Sequence, residues 1–433
     1  MIVFSNTITP RLQYISDFIG KEISGKAFQL SDDIEVFRNY NGPKINYSHE
    51  RVSHEEFFLK AHTLLFEKNI QQQDIHCFDT EGSRAFFKTE GDFPFDVFAA
   101  AFYLLSRYEE YLPHRKDIYG RFAHENSLAF RENFLHLPVI NTWLNRLKEK
   151  LKEKYSTFSF QQSTFNFIPT YDIDIAYSYR FKGFLRNAGG MLKSMITWQW
   201  SAAAERWKVL YGKKPDPYDA YVWMDKLHEQ YQLKPYYFFH AGRRTGRYDK
   251  NIPPFHDAMV KLIRHHYYRY PIGLHPSWQS GDNPELLKEE ILALQKITGG
   301  KINSSRQHYI RFTLPHTFRT LIESGIQFDF SMGYGSINGF RASVASPFYW
   351  YDLEHEVITG LQLFPFCFME ANSFYEQKFS AQQALGELQH YYQEIQSVNG
   401  LMITIWHNNF LGTAGQLAGW KEIYEQFIRE TRN

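Results

Sequence analysis

The chain has 433 residues, 43% of them hydrophobic and 22% charged, which excludes wholesale disorder and leaves enough apolar mass for a large core. Its 48 Lys and Arg against 47 Asp and Glu leave a net charge of +1, so the overall balance makes no electrostatic case for nucleic acid or an anionic membrane surface. Phe, Tyr and Trp make up 18% of the chain; carbohydrate stacking, membrane contact or a dense core would each use them, and composition does not choose.

At roughly 150 residues per domain the length predicts about two or three domains. The first twenty residues carry no basic region, no long apolar stretch and no small-residue cleavage site. The longest clean apolar run, 97–105, is half of what a membrane span needs. Cys77 and Cys367 are too few for a disulfide framework or a Cys-based zinc site. These features together predict a cytoplasmic protein with reduced cysteines and no transmembrane segment.

Apolar spacing predicts helices over 54–66 and 96–112, the second capped by Asp96 and stopped by Pro113, among short strand-like pieces. A third helix over 139–154 ends in a charge-rich stretch, and a boundary is expected near 155–165. Residues 1–160 are thus an α+β accessory domain that completes a pocket or meets a partner. No repeat of 20–50 residues and no low-complexity tract appears. Beyond the boundary the pattern changes. Strand-like runs at 165–170, 234–240, 270–275, 326–330 and 401–407 alternate with helical patterns, which predicts a parallel α/β architecture.

In such folds chemistry collects at strand C-termini. Here those ends carry Asp172 and Asp174, then His240, His275, Asp329 and His407, with Arg306 and His308 at another strand entry. Carboxylates with imidazoles suit a divalent ion with an open position for water, the ingredients of a metal hydrolase. A phosphate loop, a strand-linked GxGxxG and a GxSxG nucleophile elbow are all missing.

The ordered set TYDID (170–174), KPYYFFHAG (234–242), YPIGLHPS (270–277) and ITIWHN (403–408) resembles the NodB-homology polysaccharide deacetylases. SRQHYIRF (305–312), FDFSMGYGSINGFRASVASPF (328–348) and FDVFAAAFYLLSRYEEYLPH (95–114) resemble an intracellular bacterial branch of them with an extra N-terminal domain. The resemblance implies a distorted (β/α) barrel over 161–433. It also implies removal of an acetyl group from a sugar or glycan precursor, with zinc first and cobalt or nickel as alternatives. By that resemblance Asp172 is the general base, Asp174 and His275 are metal ligands, His407 is the general acid, and Arg306 orients and charges the base. The family's second motif carries two histidines four apart, but four residues after His275 stands Gln279. His308 is the candidate replacement, with Gln279 or water as the alternative. The segment around Arg306 also lacks the family's Pro-Tyr.

Trp278, Tyr334 and Trp406, with Phe340 and Trp350 nearby, sit beside these motifs and are candidates for a wall that stacks on a sugar ring. Asp329 either orients His407 or holds a loop. His265 and His266 are read as the polar end of a helix, and His240 is given no role. An aromatic-rich helical insertion at about 181–215 holds Trp198, Trp200 and Trp207 among Lys and Arg. A lid packing its aromatics inward is the preferred reading; a monotopic membrane contact is the alternative. Two rival functions stand beside the deacetylase. One is a non-catalytic carbohydrate-binding or scaffolding protein with a degenerate barrel, and the other is a hydrolase of non-sugar amides.

Overall fold

The computed structural model describes every residue except 81, 157–159, 162, 244 and 433, so part of the boundary expected near 155–165 lies outside the described residues. In the N-terminal part, β1 (Ile2–Phe4), β2 (Gln29–Ser31), β3 (Lys44–Ser48) and β4 (Phe57–Lys60) form a parallel sheet in the order β2-β1-β3-β4. The crossover from β1 to β2 is the helix Pro10–Ser24, which has readable ends. Thr9 accepts from the Leu12 N–H, Pro10 opens the first turn, and Gly25 closes it in the left-handed region at φ 74°. A hairpin of β5 (Phe78–Thr80) and β6 (Ser83–Ala85) follows.

Two of the three helices expected here are corrected. Residues 54–66 are not helical: Phe57–Lys60 is β4, paired with β3, and only Thr63–Phe66 forms a 3₁₀ turn. A short apolar run fits either period, and the ladder to β3 decides. The helix expected over 96–112 spans Val97–Leu105, all buried, with Asp96 accepting from the Ala99 N–H. It stops because Arg107 turns into the left-handed region at φ 53°. The third helix is Val139–Lys154, as its pattern predicts.

The C-terminal part holds β7 (Asn166–Ile173), β8 (Tyr236–His240), β9 (Ile272–His275), β10 (Ser304–Ser305), β11 (Phe328–Asp329), β12 (Phe348–Asp352), β13 (Val357–Leu363), β14 (Phe368–Met369) and β15 (Leu401–His407). Among the described residues they form one sheet in the order β12-β13-β11-β10-β9-β8-β7-β15-β14, all parallel except β12. This is a mixed α/β sheet whose ladder ends at β12 and β14, so hydrogen bonding does not close it into the expected barrel. Strand β7 lies between β8 and β15, and its register sets Asp172 beside Phe238 on one side and His407 on the other. His240 and His275 are likewise partners across β8 and β9.

One buried ionic cluster joins the two parts. Glu110 accepts from Arg107 Nε at 2.7 Å and from Arg341 Nε and Nη2 at 2.8 and 2.6 Å. Arg107 also reaches Glu109 at 2.9 Å and the Arg341 carbonyl, while the Arg341 guanidinium stacks 4.0 Å above Phe312. All four charged side chains are buried. Burial pushes the Glu110 carboxyl up, but Arg341 and Arg107 outweigh it and hold the group down to about 2.

Replacing Glu110 by Gln leaves two buried guanidinium groups without their shared anion. Glu110→Gln is expected to cost about 3–5 kcal/mol of stability in urea unfolding at neutral pH. Because its folded pKa is depressed, Glu110's contribution is present above its ordinary value of 4.5 and fades as pH falls toward about 2. The variant's deficit should therefore shrink in acid, and a loss under about 1 kcal/mol would show that the cluster does not bind the two parts together.

Candidate metal centre

The C-terminal ends of β7, β9, β10, β14 and β15 open into a cavity of about 350 Å³ lined by Asp172, Asp174, His275, His308 and His407. Asp172 is the penultimate residue of β7, and Asp174 follows directly on that strand. His275 ends β9, His308 lies just beyond β10, and His407 ends β15.

Asp174 is the meeting point. His275 Nε2 lies 2.9 Å from its Oδ1, His308 Nε2 is 3.4 Å from Oδ2, and His407 Nε2 is 3.5 Å from Oδ2. Asp174 Oδ1 is buried and makes no hydrogen bond of acceptable geometry. The other nitrogen of each neighbouring ring is already committed. His275 Nδ1 donates to the Arg306 carbonyl at 2.6 Å, and His308 Nδ1 faces the Asp249 carboxylate at 3.1 Å. Each ring is thereby oriented with Nε2 toward Asp174, as metal-ligating imidazoles are oriented by the acceptor behind them. Donor atoms of Asp174, His275 and His308 all lie within 4.8 Å of one another. Tetrahedral ligands about 2.0–2.1 Å from one ion sit about 3.4 Å apart, so the donor set fits a small divalent cation.

The electrostatics fit as well. Burial works against charge on Asp174, but His308, His407 and His275 outweigh it and hold its carboxyl well below the usual range. Burial also disfavours charge on His308, yet Asp174 and Asp249 raise it to about 9. A proton and a divalent ion would compete for that same Nε2 lone pair, so metal loading there would release protons. Gln279, the alternative ligand, is exposed and does not line the cavity.

Asp172 flanks this centre. Its Oδ1 accepts from Arg306 Nη1 at 2.8 Å, and its Oδ2 lies 3.9 Å from His275 Nε2. The fully buried Arg306 is fixed from behind by the Phe330 carbonyl at 3.0 Å and stacks 4.4 Å above Phe238. On the opposite side, His407 Nδ1 pairs with Glu370 at 2.7 Å, and the same carboxylate accepts the His407 N–H at 2.8 Å. Burial opposes charge on His407, but Glu370 and Asp174 raise it to about 10. Both carboxylates thus favour the protonated imidazole, whose Nε2 faces the cavity.

Glu370 was not singled out by sequence reasoning, because β14, which it follows, spans only two residues and gives the strand-end rule no pattern to start from. Asp329 does not touch His407. It accepts from Ser305 and Ser331 and holds a loop, and burial raises it to about 6. Asp249 was also missed; it sits on an irregular segment with no strand to flag it. His240 packs behind His308, 3.7 Å from Asp249, and burial pushes it down to about 4. His266 is fully buried against Tyr237 rather than at a polar helix end, whereas His265 pairs with Asp225 at 2.6 Å.

The aromatic wall differs from the expected one. Tyr334 is 1% exposed and packs under Arg341, and Trp406 is fully buried against Tyr424. Neither lines the cavity; Trp406 turns away from His407 because alternate residues of a strand point to opposite faces. Phe340 and Trp350 are core as well. Trp278 is half-buried and stacks on Tyr248 at 4.1 Å, beside Tyr119. The rings that do line the cavity are Tyr119, Tyr218, Tyr309, Tyr375 and Phe410. Tyr119 comes from the N-terminal part, as does Arg121, whose Nη1 donates to the Tyr309 carbonyl at 2.8 Å. Tyr309 and Ile310 both sit in the left-handed region, at φ 59° and 54°, which for a β-branched residue is a strained conformation.

Residues 1–156 match a family model described as "Family of unknown function (DUF7033)". No curated protein matches the chain. Among solved structures, a candidate polysaccharide deacetylase from Mycobacterium smegmatis is similar at 13% identity and a TM-score of 0.39, covering 63% of this chain and 85% of its own. A polysaccharide deacetylase from Bacillus cereus is similar at 11% identity and a TM-score of 0.29, covering 62% of this chain and 89% of its own. Both likenesses are distant, and the chemistry of the cleft rests on the side chains described above.

Glu370 is the anion that charges His407. In chelator-treated protein, Glu370→Gln is expected to lower the pH at which the His407 imidazole loses its proton by about 1–2 units, read by NMR titration. The sign follows from the raised folded value. His407's contribution to stability is full below its ordinary 6.5 and is lost as pH rises through about 10. An unchanged titration would remove Glu370 from that role.

Proposed function

We propose that the chain is a metal-dependent hydrolase that removes an acetyl group from an acetylated sugar or glycan precursor. The observation that carries this reading is the convergence of Asp174, His275 and His308 on one point, with a second carboxylate on one side and a charged imidazole on the other. A divalent ion held by those three residues, zinc first with cobalt or nickel as alternatives, would supply Lewis acidity toward a water and an acyl carbonyl.

The remaining work falls to this chain's own groups. Arg306 occupies Asp172 Oδ1 and leaves Oδ2 to accept a proton from the attacking water. His407 gives its Nε2 proton to the departing amine or alcohol, and Glu370 at Nδ1 stabilises the imidazolium before transfer. Arg306 pairs with Asp172 at 2.8 Å and sets a fixed positive charge beside that buried carboxylate. The tyrosines of the cavity offer ring faces to sugar C–H groups and hydroxyls to sugar oxygens. This assignment replaces Tyr334 and Trp406 as the sugar-facing aromatics.

The accessory role of residues 1–160 fits the same reading, since Tyr119 and Arg121 form part of the cleft wall. The proposal keeps a distorted, open barrel over 161–433: β7 to β11 follow chain order across the sheet, which stays open between its edge strands β12 and β14. The scaffolding alternative leans on Gln279 in place of a second motif histidine; the 3.4 Å approach of His308 to Asp174 favours the hydrolase reading over it.

Metal content and turnover should separate by residue. Asp172→Asn is expected to lower deacetylation of acetylated sugars by a factor of about 10² or more while retaining metal. Asp174→Ala, His275→Ala and His308→Ala should each lose the ion in elemental analysis, and Gln279→Ala should keep it. Full metal in His308→Ala would break the ligand set, and full activity in Asp172→Asn would remove the base. Release of acetate from simple amides but from no acetylated sugar would redirect the substrate class.

A further inference from the structure

The helical insertion rises from the loop that follows β7, the strand carrying Asp172, and so stands at the cavity end of the sheet. Its helices, Phe184–Ile196 and Trp200–Leu210, pack on each other through small and polar side chains. Asn187, Ser194 and Ala203 are buried in that seam, and Arg206 donates to Asn187 at 3.2 Å. Buried Asp216 clips the base by accepting the backbone N–H groups of Ser178, Tyr179 and Arg180 at 2.7–2.9 Å. The aromatics face outward, which overturns the expected lid. Phe184 is 83% exposed, Leu185 84%, Ile196 68% and Trp198 79%. On the first helix Phe184, Leu185, Ala188, Leu192, Met195 and Ile196 share one sector, flanked by Arg186 and Lys193 seven residues apart. On the second, Trp200, Trp207 and Tyr211 recur on one exposed face, with the Lys213 ammonium 4.6 Å above the Trp207 ring.

The charge on this hairpin says what covers it. Residues 180–214 hold eight Lys and Arg and one acid, Glu205, in a chain whose total charge is only +1. Glu205 is itself bound by Lys214. A protein interface has little use for exposed cations such as Arg186, Lys193, Lys208 and Lys213 beside an apolar face, whereas an anionic bilayer surface pairs with both. Trp between Lys and Arg is the composition of the lipid headgroup zone. Among the described residues no helix is long and apolar enough to cross a membrane, so contact is by lying on the surface.

We propose that the hairpin Phe184–Leu210 seats the chain on an anionic lipid surface, with the cavity mouth at the membrane-facing end. The proposal does not depend on the deacetylase reading. It is tested by co-sedimentation of the full chain with vesicles of phosphatidylcholine alone or mixed with phosphatidylglycerol. Binding is expected only to the anionic vesicles, falling steeply as salt rises. Trp198→Ala/Trp200→Ala/Trp207→Ala should lower the bound fraction more than about tenfold, with unchanged thermal unfolding because those rings are exposed. Lys193→Glu/Lys208→Glu should also lower it more than about tenfold, and it keeps the test open should the aromatic variant fail to fold. Three results overturn the proposal: no binding to anionic vesicles, equal binding to neutral ones, or binding retained by both variants. A concentration-dependent dimer that the aromatic variant abolishes, with no vesicle binding, would give the face to a second copy.

Discussion

The buried ion pair between Asp172 and Arg306 crosses the inside of the sheet, and the geometry of the cleft follows from it. The two residues belong to β7 and to the end of β10, which are three strand positions apart. In a flat sheet that separation is about 14 Å, yet Arg306 Nη1 and Asp172 Oδ1 meet at 2.8 Å. The lengths of the two side chains close part of that gap and curling of the sheet closes the rest, with both side chains on one face. Phe238, Phe330 and Phe366 pack around the guanidinium and exclude water from it. A pair so desolvated survives only with good geometry, and breaking it from one side would strand a charge. The curl has a second effect. It brings His308, also beyond β10, to 3.4 Å from Asp174, the approach on which the proposed third ligand rests.

The N-terminal part completes what the curled sheet leaves open. Glu110, gripped by Arg107 and Arg341, locks the segment that precedes Tyr119 and Arg121 against the large sheet. Asp117 then aims Arg121 at 2.6 Å, and Arg121 holds the Tyr309 carbonyl on the cleft rim. The approach is close enough that Gly335 is required. A Cβ there would lie 2.7 Å from the Tyr309 carbonyl oxygen and would also collide with Arg121 Nη1. A clamp of buried charges thus sets the position of two cleft residues, which ties the stability of the junction to the shape of the site.

What the residues disclosed in advance follows the same physics. Strands β7, β8, β9 and β15 were legible because parallel, doubly buried strands read as apolar runs, and the polar residues that end them stand out. Strands β10 and β14 span two residues each, too few for a pattern, and for that reason Glu370 was passed over. Residues 57–60 could be read with either period, and only the ladder to β3 settles the matter. Burial of Trp406 beside a half-buried His407 is a consequence of alternation that nearness in sequence conceals. Asp249 and the Arg107–Glu110–Arg341 cluster are purely tertiary, and no local signal marks them.

The net charge of +1 is the one observation whose meaning reverses. A whole-chain sum reports on the far field, but beyond about 8–10 Å in salt that field is screened, and what a surface meets is the local density of charge. Residues 180–214 concentrate eight cations beside exposed Trp, Phe and Leu side chains, and the remainder of the chain is correspondingly acidic. Such a distribution orients the molecule as well as attracting it. The basic hairpin is drawn to an anionic surface while the acidic remainder is repelled, so the end of the sheet that bears the hairpin turns inward. The cleft opens at that same end, because the hairpin and Asp174 both follow β7. Orientation and access to the cleft are therefore set by one loop, and a substrate carried at the surface would reach Asp174 without the protein having to leave it.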